Sequence, residues 1–252
     1  MKQITTAKMC SAKSLSLQTK FKKLMSLSIT AQLNKLKKSI PDQVKLVAVS
    51  KTKPIEDILE AYKAGQRHFG ENKAQEMETK HQQLPADIVW HFIGHLQTNK
   101  VKYIAAFVSL IEAVDSLKLL KEINKQAAKN NRVIPCLLQF HIAEEDTKFG
   151  LDRDEAAALL ESEAFKKMKN IQIVGVMGMA TFTDDMNQVH REFKHLKTIF
   201  EWLKSEYFSD ENSFREISMG MSGDYPVAID EGATIVRVGS LIFGERNYLT
   251  AN

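Results

Sequence analysis

Short apolar runs of strand length alternate with longer amphipathic segments along most of the chain. The first clear pair starts with the apolar run from Leu46 to Val49, and Pro54 follows it at a position typical of a helix start. From Ile55 to Tyr62 apolar residues recur at helical spacing, and Gly65 ends the pattern, as glycine often ends a helix. The sequence therefore predicts a strand followed by a helix as its repeating unit.

Eight such strands are predicted, at 45–50, 67–71, 88–94, 107–113, 132–140, 171–179, 215–220 and 234–239. The helices predicted between them lie at 54–64, 73–82, 98–105, 116–129, 152–162, 186–204 and 222–230. One more helix, at about 28–39, precedes the first strand and would cover the last. Eight βα units in 252 residues predict a single-domain α/β fold, a (β/α)8 TIM-like barrel with an extra N-terminal helix.

Charge is distributed unevenly between the start of the chain and the predicted barrel. Residues 1–24 contain six lysines and no acid, whereas residues 25–252 contain 29 basic and 31 acidic residues. We interpret 1–24 as a disordered arm or a wrongly assigned start, with Met25 as the alternative start, and 25–252 as the barrel domain. Because the barrel has no basic excess, we do not expect nucleic-acid binding. No apolar stretch reaches the ~18 residues of a membrane span.

The two cysteines, Cys10 and Cys136, are far apart in the sequence. Cys136 lies in an apolar run, which predicts a buried thiol rather than a metal ligand or a disulfide partner. A chain without a cysteine framework suits a reducing compartment, so we expect a cytoplasmic protein.

Lys51 ends the first predicted strand. In TIM barrels the chemistry lies at the C-terminal ends of the strands. A lysine that is partly desolvated at such a place can form a Schiff base with an aldehyde. The alternative is a solvated lysine at a strand end, which is common in a chain with 28 lysines. The residues alone leave both interpretations open.

Two segments at the ends of the last strands offer donors for a phosphate. Ser218 to Asp224 joins a strand to a helix through small residues, and Ser222 adds a hydroxyl to the free backbone N–H groups of such a junction. Gly239 and Ser240 form a second donor set after the final strand. The loops after strands seven and eight often hold phosphate in these barrels, so a phosphate site is favoured over simple helix capping.

Arg237 is a charged residue within an apolar strand, where an unpaired charge is costly. One interpretation is an ion pair with a barrel carboxylate such as Glu71 or Glu112. The other is contact with an anionic group or a ring nitrogen of a ligand.

His91 and His95 lie near the end of the third strand. Metal ligands four residues apart converge on a helix, and these two histidines straddle a strand and a loop, so we expect no metal site. Asn72, His91 and Asn99 are better interpreted as hydrogen-bonding residues near a pocket.

Six segments in chain order carry a family resemblance. They are 46–54 (LVAVSKTKP), 69–72 (FGEN), 90–100 (WHFIGHLQTNK), 148–151 (KFGL), 218–222 (SMGMS) and 236–244 (VRVGSLIFG). Together they resemble the pyridoxal 5′-phosphate (PLP) homeostasis proteins, single-domain relatives of the alanine racemase N-terminal domain, over about residues 28–248. The resemblance implies a fold-type III PLP-binding barrel.

The resemblance also implies roles for individual residues. Lys51 would carry PLP as an imine, and Asn72 would lie near the ring hydroxyl. Arg237 would face the pyridine nitrogen or the phosphate. The phosphate itself would be held by Ser222, Gly239 and Ser240. The chain departs from the family pattern at Gly223, where many members have an acid, and at Phe149, where many have a small residue.

The function implied is PLP binding in cofactor homeostasis, without amino-acid turnover. Racemases need a second acid/base group opposite the lysine, and the resemblance places that group in a second domain that has no counterpart here. A PLP-dependent amino-acid racemase is the main alternative. A phosphosugar aldolase-type barrel that uses Lys51 on its substrate is another. We expect a monomer whose partners are PLP and apo PLP-dependent enzymes, with no membrane association.

Overall fold

The computed structural model describes residues 28–144 and 150–245. Its parallel strands form a closed barrel in which each strand pairs with the next, and the last pairs with the first. The strands are β1 (Lys45–Val49), β2 (His68–Glu71), β3 (Val89–Phe92), β4 (Leu110–Val114), β5 (Ile134–Phe140), β6 (Ile171–Gly178), β7 (Glu216–Ser218) and β8 (Ile235–Val238). The predicted (β/α)8 barrel is confirmed.

Helices surround the barrel and also precede β1. They are α1 (Ile29–Lys37), α2 (Ile55–Lys63), α3 (Ala74–Gln83), α4 (Val101–Ile104), α5 (Leu117–Lys129), α6 (Arg153–Glu161), α7 (Glu163–Lys166), α8 (Met186–Glu206), α9 (Tyr225–Asp230) and α10 (Ser240–Phe243), with a 3₁₀ turn at Thr98–Lys100 before α4. The predicted extra helix, α1, contacts α2 and α10, which follow β1 and β8. It therefore covers the junction where the barrel closes.

The core has two layers. The larger lies between the strands and the helices and contains the big buried rings of Phe69, Trp90, Phe140 and Phe193. The smaller lies inside the barrel and consists of Val47, Leu110, Ala113, Leu137, Met177 and Ile235. Polar side chains share that interior, so part of the barrel is filled by a hydrogen-bonded network rather than by hydrocarbon.

A bulge in β6 depends on Gly175. The register of β6 against β5 shifts there, because Cys136 pairs with Ile173 while Leu137 pairs with Gly175. Gly175 has a φ of +154°, and a Cβ on it would lie 1.8 Å from the carbonyl oxygen of Glu216. Only glycine lets β7 approach this closely.

Several predicted boundaries were wrong, each for a local reason. β4 begins at 110 rather than 107, because the N–H groups of Phe107 and Val108 donate to the carbonyl of Ile104 and complete the end of α4. β7 ends at 218 because the chain turns at Gly220, where φ is +89°. The helix predicted from 222 begins at 225, and α7 and α10 were not predicted.

Some expectations fall on residues that the structure does not describe. These include the arm at 1–24, the alternative start at Met25, Cys10 and the family departure at Phe149. Within the described ranges, no helix combines the length and the apolar character that crossing a bilayer requires.

Candidate functional site

A cavity of about 450 Å³ opens at the C-terminal end of the barrel. Residues after five strands line it: Lys51 and Lys53 follow β1, Ile93 follows β3, Met179 and residues 181–184 follow β6, residues 221–224 follow β7, and Gly239 and Ser240 follow β8. The location agrees with the general rule for TIM barrels. Five of the six residues expected to bind the cofactor line this one cavity: Lys51, Ser222, Arg237, Gly239 and Ser240.

Lys51 lies in a tight turn directly after β1. The N–H of Lys53 donates to the carbonyl of Ser50 across it, at 3.0 Å. Lys51 is half-buried and lines the cavity, which places its side chain at the mouth of the barrel. Lys53 lines the cavity too, and its amine donates to the carbonyls of Phe243 and Gly244, at 2.8 and 3.2 Å.

The loops after β7 and β8 meet to form a cradle of donors. The N–H of Gly239 donates to Oγ of Ser222 at 3.3 Å, which ties the two loops together. The buried carboxylate of Asp224 accepts from the N–H of Met221 and closes the turn. A Cβ at Gly223 would meet nothing within 4 Å, so the backbone there faces open space. Two hydroxyls, those of Ser222 and Ser240, and the nearby backbone of Gly223 and Gly239 thus border the cavity.

Arg237 lies on β8 and is 3% exposed, yet it reaches the cavity. Its Nη2 donates to the carbonyl of Gly178 at 3.0 Å and its Nη1 donates to Oγ of Ser218. Oε2 of Glu112 lies 3.8 Å from Nη1. Burial lowers the pKa of Arg237, while the charges of Glu112 and Asp224 oppose that shift. The guanidinium therefore stays protonated as a fixed charge beside the cavity.

Glu112 is fully buried at the centre of a polar network. Oγ of Ser218 donates to Oε2 of Glu112 at 2.6 Å, and Nδ1 of His91 lies 2.6 Å from Oε1. Burial by itself would raise the pKa of Glu112, but the hydrogen bond and charge of His91 and the charge of Arg237 hold it below its ordinary value. The carboxylate is thus ionised and balances the guanidinium.

This network continues to the other end of the barrel. Nε2 of His91 lies 3.0 Å from Nδ1 of His68. Burial, followed by the charges of His91 and Lys45, lowers the pKa of His68 to about 4. Both histidines line a second cavity, of about 290 Å³, together with Lys45 and Glu216 at the N-terminal ends of the strands. A continuous polar column therefore joins the two mouths through the barrel interior, and it consists of Arg237, Ser218, Glu112, His91 and His68.

The remaining expected residues are placed as follows. Asn72 is half-buried and packs against Gly94, where an added Cβ would lie 2.6 Å from the Cβ of Asn72. Asn72 is not among the described residues that line the larger cavity. His91 belongs to the polar column, and Nδ1 of His95 lies 3.1 Å from Oδ2 of Asp115. The expected burial of Cys136 is confirmed, and that burial raises the pKa of its thiol. No cluster of His, Cys, Asp and Glu suited to a metal ion occurs among the described residues.

Sequence reasoning missed two parts of the cavity. One is the loop after β6, which contributes Thr181, Phe182 and Asp184, and the other is Lys53. The loop is anchored by the buried carboxylate of Glu192, which accepts from the N–H and the hydroxyl of Thr181, both at 2.7 Å. The available signal was positional, because each of these residues follows the C-terminal end of a strand.

The chain belongs to the alanine racemase N-terminal domain family, whose model matches residues 26–247. Within this family the chain is similar to curated proteins named pyridoxal phosphate homeostasis protein. The relative from Aquifex aeolicus is 41% identical over 205 residues, 81% of this chain and 88% of its own length. The human relative is 39% identical over 216 residues, 82% of this chain and 78% of its own.

Solved structures agree with this assignment. PipY of Synechococcus elongatus without PLP superposes with a TM-score of 0.80 at 35% identity, over 86% of this chain and all of PipY. PipY with PLP bound gives a TM-score of 0.76 at 34% identity, over the same shares of both chains. An alanine racemase of Clostridium difficile gives a TM-score of 0.72 at 13% identity, over 88% of this chain and 61% of its own, which is a likeness of fold alone.

Proposed function

We propose that this chain binds PLP in the larger cavity, with Lys51 as its covalent anchor, and acts in PLP homeostasis without turning over amino acids. The observation that carries the proposal is the convergence of Lys51, the hydroxyls of Ser222 and Ser240, and the buried Arg237 on one cavity. Relatives that this chain resembles over most of their length are named pyridoxal phosphate homeostasis proteins, which supports the homeostasis part of the proposal.

The residues present fit the cofactor. The cradle of Ser222, Gly223, Gly239 and Ser240 supplies hydroxyl and amide donors, and the adjacent carboxylate of Asp224 is bonded to the N–H of Met221. The cradle would hold the phosphate. Lys51 and Lys53 also line the cavity, and an imine with an aldehyde ligand requires such an amine. Asn72, behind Gly94, would act near the ring hydroxyl only through a side-chain rearrangement or an intervening water.

When bound, PLP supplies an electrophilic aldehyde carbon, which Lys51 would hold as an imine with loss of one water molecule. Arg237 would place a fixed positive charge beside the ring nitrogen or the phosphate. Because Glu112 and Ser218 hold that guanidinium, it cannot swing away. The side chains of Ile93, Met179 and Met221 line the same cavity and would exclude water from the ring.

A racemase needs a second acid/base group opposite its lysine. Among the described lining residues of the cavity there is no tyrosine, histidine or cysteine. Lys53 lines the cavity, but its amine donates to backbone carbonyls of the C-terminal segment. Asp224 closes the turn after β7. Asp184, in the loop after β6, also lines the cavity, and its side chain is exposed to solvent. Lys51 is the general base that we assign in this cavity, and the lack of a tyrosine, histidine or cysteine beside it favours binding over racemisation.

The same proposal covers the setting in which the protein works. A reversible linkage to Lys51 would let the protein take up PLP when free PLP is abundant and release it to apo PLP-dependent enzymes. We propose that it does so as a monomer in the cytoplasm. The basis for the cytoplasm is the buried, unpaired thiol of Cys136 and the absence of any cysteine framework in the sequence.

The experiment incubates PLP-loaded protein with several L- and D-amino acids and follows chirality and products, then adds an apo PLP-dependent enzyme and follows recovery of its activity. We expect no turnover, and we expect transfer of PLP from the parent but not from Lys51→Ala. Turnover in the usual enzyme range of roughly 1–10³ per second on any amino acid would overturn the non-catalytic proposal. Failure of the parent to bind PLP would overturn the cofactor assignment.

A further inference from the structure

The backbone on both sides of Lys51 is held by side chains that the cavity does not contain. Thr52, the next residue, has a φ of +63°. This is the left-handed region, which β-branched residues rarely occupy, and such a conformation persists only where surrounding contacts hold it. The strained residue is adjacent to the proposed anchor, so whatever holds Thr52 also fixes where the Lys51 side chain begins.

Glu76, in the first turn of α3, holds Thr52. Its Oε1 accepts from the backbone N–H of Thr52 at 2.6 Å. The same oxygen accepts from Nζ of Lys80, one helical turn further along, at 2.7 Å. The acceptor is charged, and its two donors come from different elements, so the turn after β1 is tied directly to α3.

Lys80 holds the residue on the other side of Lys51. It is 6% exposed, and its Nζ donates to the carbonyl of Ser50 at 2.8 Å and to Oε1 of Glu71 at 2.8 Å. The hydroxyl of Ser50 donates to the same Glu71 oxygen at 2.6 Å. The buried ammonium of Lys80 therefore links the carbonyl of Ser50, which precedes Lys51, to the carboxylate of Glu76. That carboxylate in turn accepts from the N–H of Thr52, which follows Lys51.

Glu71 shows that this cluster is not arranged for stability alone. It is fully buried, and its Oε2 has no hydrogen-bond partner among the described residues. Burial raises the pKa of Glu71, while Lys80 and Ser50 oppose that shift. Buried ion pairs often add little net stability compared with packed hydrocarbon. The cluster of Glu71, Glu76 and Lys80 bonds to Ser50 and Thr52, the residues on both sides of Lys51. Hydrocarbon side chains could not make these bonds, so the cluster can fix the position of the backbone around Lys51.

We propose that Glu76 and Lys80 are positioning residues that hold Ser50 and Thr52 so that the amine of Lys51 is directed at the aldehyde position of the cofactor. The proposal rests on the proposed function, because it takes Lys51 as the covalent anchor. Neither residue lines the described cavity, so each acts through the backbone of the anchor and not on the cofactor.

The test compares two ligands that differ only at the reacting group. PLP has the aldehyde, and pyridoxine 5′-phosphate has the same ring and phosphate with an alcohol in its place. Affinities of both ligands are measured for the parent, Glu76→Ala and Glu76→Gln, with Glu78→Ala as the matched control on the same helix. We expect Glu76→Ala to weaken PLP by about 10-fold, the scale of one charge-assisted hydrogen bond, and to leave pyridoxine 5′-phosphate unchanged.

Glu76→Gln keeps an oxygen for Thr52 and should retain most of the PLP affinity, and Glu78→Ala should retain all of it. A second readout uses the ligand-free protein: the rate at which Lys51 is acetylated, read by peptide mass spectrometry, should change in Glu76→Ala and not in Glu78→Ala. This readout and the melting temperature together separate displacement of Lys51 from loss of the fold.

Two outcomes contradict the proposal in different ways. If Glu76→Ala weakens both ligands equally, or neither, Glu76 does not position Lys51, although the parent still binds PLP. If the parent binds pyridoxine 5′-phosphate as tightly as PLP, Lys51 makes no covalent contribution, and both the anchor assignment and the positioning proposal fail.

Discussion

At the scale of the residue, Arg237 illustrates how the site depends on groups outside the cavity. Its guanidinium is buried, and its charge is balanced by Glu112, which also accepts from Ser218 and contacts His91. Each of these residues lies on a different strand. Removing the carboxylate of Glu112 would leave the buried guanidinium of Arg237 without its counter-charge. The stability of the network therefore depends on Glu112.

We predict that Glu112→Ala will lower the free energy of unfolding by about 3–5 kcal/mol, the usual cost of breaking a buried ion pair from one side. Urea unfolding of the ligand-free protein measures it. The control is Glu163→Ala, which removes an exposed carboxylate paired with Lys166 at 3.1 Å and should cost about 0–1 kcal/mol. Equal costs for the two substitutions would show that Glu112 does not balance Arg237.

His68, at the end of the polar column near the N-terminal ends of the strands, gives a prediction for the pH dependence of stability. The pKa of His68 is lowered to about 4, whereas in the unfolded chain it is close to 6.5. Between those values the unfolded state binds more protons than the folded state, so this residue makes stability fall as the pH drops from about 6.5 to about 4. The pKa of Glu112 in the folded state lies below its ordinary value of 4.5, so its contribution to stability is lost mainly below that pH and not between pH 7 and pH 5.

The measurement is the melting temperature of the parent and of His68→Gln at pH 7 and at pH 5. The drop between the two pH values should be smaller by a few degrees in His68→Gln, because the group that takes up the proton on unfolding has been removed. His195→Gln changes an exposed histidine and should leave the drop as it is in the parent. An undiminished drop in His68→Gln would mean that His68 does not titrate in this way.

Single residues differed in how well the sequence predicted them. The position of Lys51, Ser222 and Ser240 at the cavity was predictable because each follows the end of an apolar strand, where barrel chemistry lies, whereas their roles rest on the family resemblance. For Arg237 the sequence suggested an ion pair with a barrel carboxylate such as Glu71 or Glu112, and in the structure the neighbouring carboxylate is Glu112, while Glu71 pairs with Lys80. Sequence spacing cannot show that pairing, since it depends on barrel register.

At the scale of the element, the loop after β7 is the part of the site with the clearest consequence for binding. Ser222 and Ser240 come from loops that meet through the bond between Ser222 and the N–H of Gly239. Backbone donors remain when the hydroxyls are removed. Removal of the two hydroxyls should therefore lower the affinity for the phosphate group without abolishing binding.

We predict that the double variant Ser222→Ala/Ser240→Ala will bind PLP about tenfold or more weakly, because each hydroxyl bond to a charged phosphate contributes up to roughly 1.5–3 kcal/mol. Fluorescence titration with PLP measures it. The matched control is Ser109→Ala/Ser213→Ala, which removes two hydroxyls from the cavity at the opposite end of the barrel. If both double variants bind PLP like the parent, the phosphate lies elsewhere.

The same loop contains two glycines with opposite requirements. Gly220 has a φ of +89°, and a Cβ there would lie 2.5 Å from Cβ of Ala228, whereas a Cβ at Gly223 meets nothing within 4 Å. We predict that Gly220→Ala will destabilise the protein by about 1 kcal/mol or more, while Gly223→Ala will change stability by less than about 0.5 kcal/mol. Urea unfolding compares them, and similar values would contradict the geometry of this turn.

The order of elements was predictable from sequence because the period of the hydrophobic pattern differs between strands and helices. The residues at which the strands and helices begin and end were less predictable. Residues 107 and 108 are apolar and resemble a strand start, but their N–H groups complete the end of α4. The short helices α7 and α10 span four residues each, too few for a periodic pattern to be recognised.

At the scale of the whole molecule, barrel closure is what assembles the site. Lys51 and Arg237 are far apart in sequence, yet they lie on or next to the first and last strands, which pair through Val47 and Arg237. Eight alternating units predicted that closure, and the loops that follow the strands then had to meet at one end. The sequence could not predict the column through the interior, since its residues belong to separate strands.

The assignment of Lys51 as the covalent anchor is tested by locating the pyridoxyl group in the reduced protein. The full chain is loaded with PLP, reduced with borohydride and digested, and fragmentation spectra locate the pyridoxyl group among the 28 lysines. Lys51→Ala and Lys53→Ala are treated identically, because the two lysines lie two positions apart and both line the cavity. We expect the label on Lys51 in the parent and in Lys53→Ala, and none at this turn in Lys51→Ala. Label found mainly on Lys53 or on a lysine outside the cavity would contradict the account.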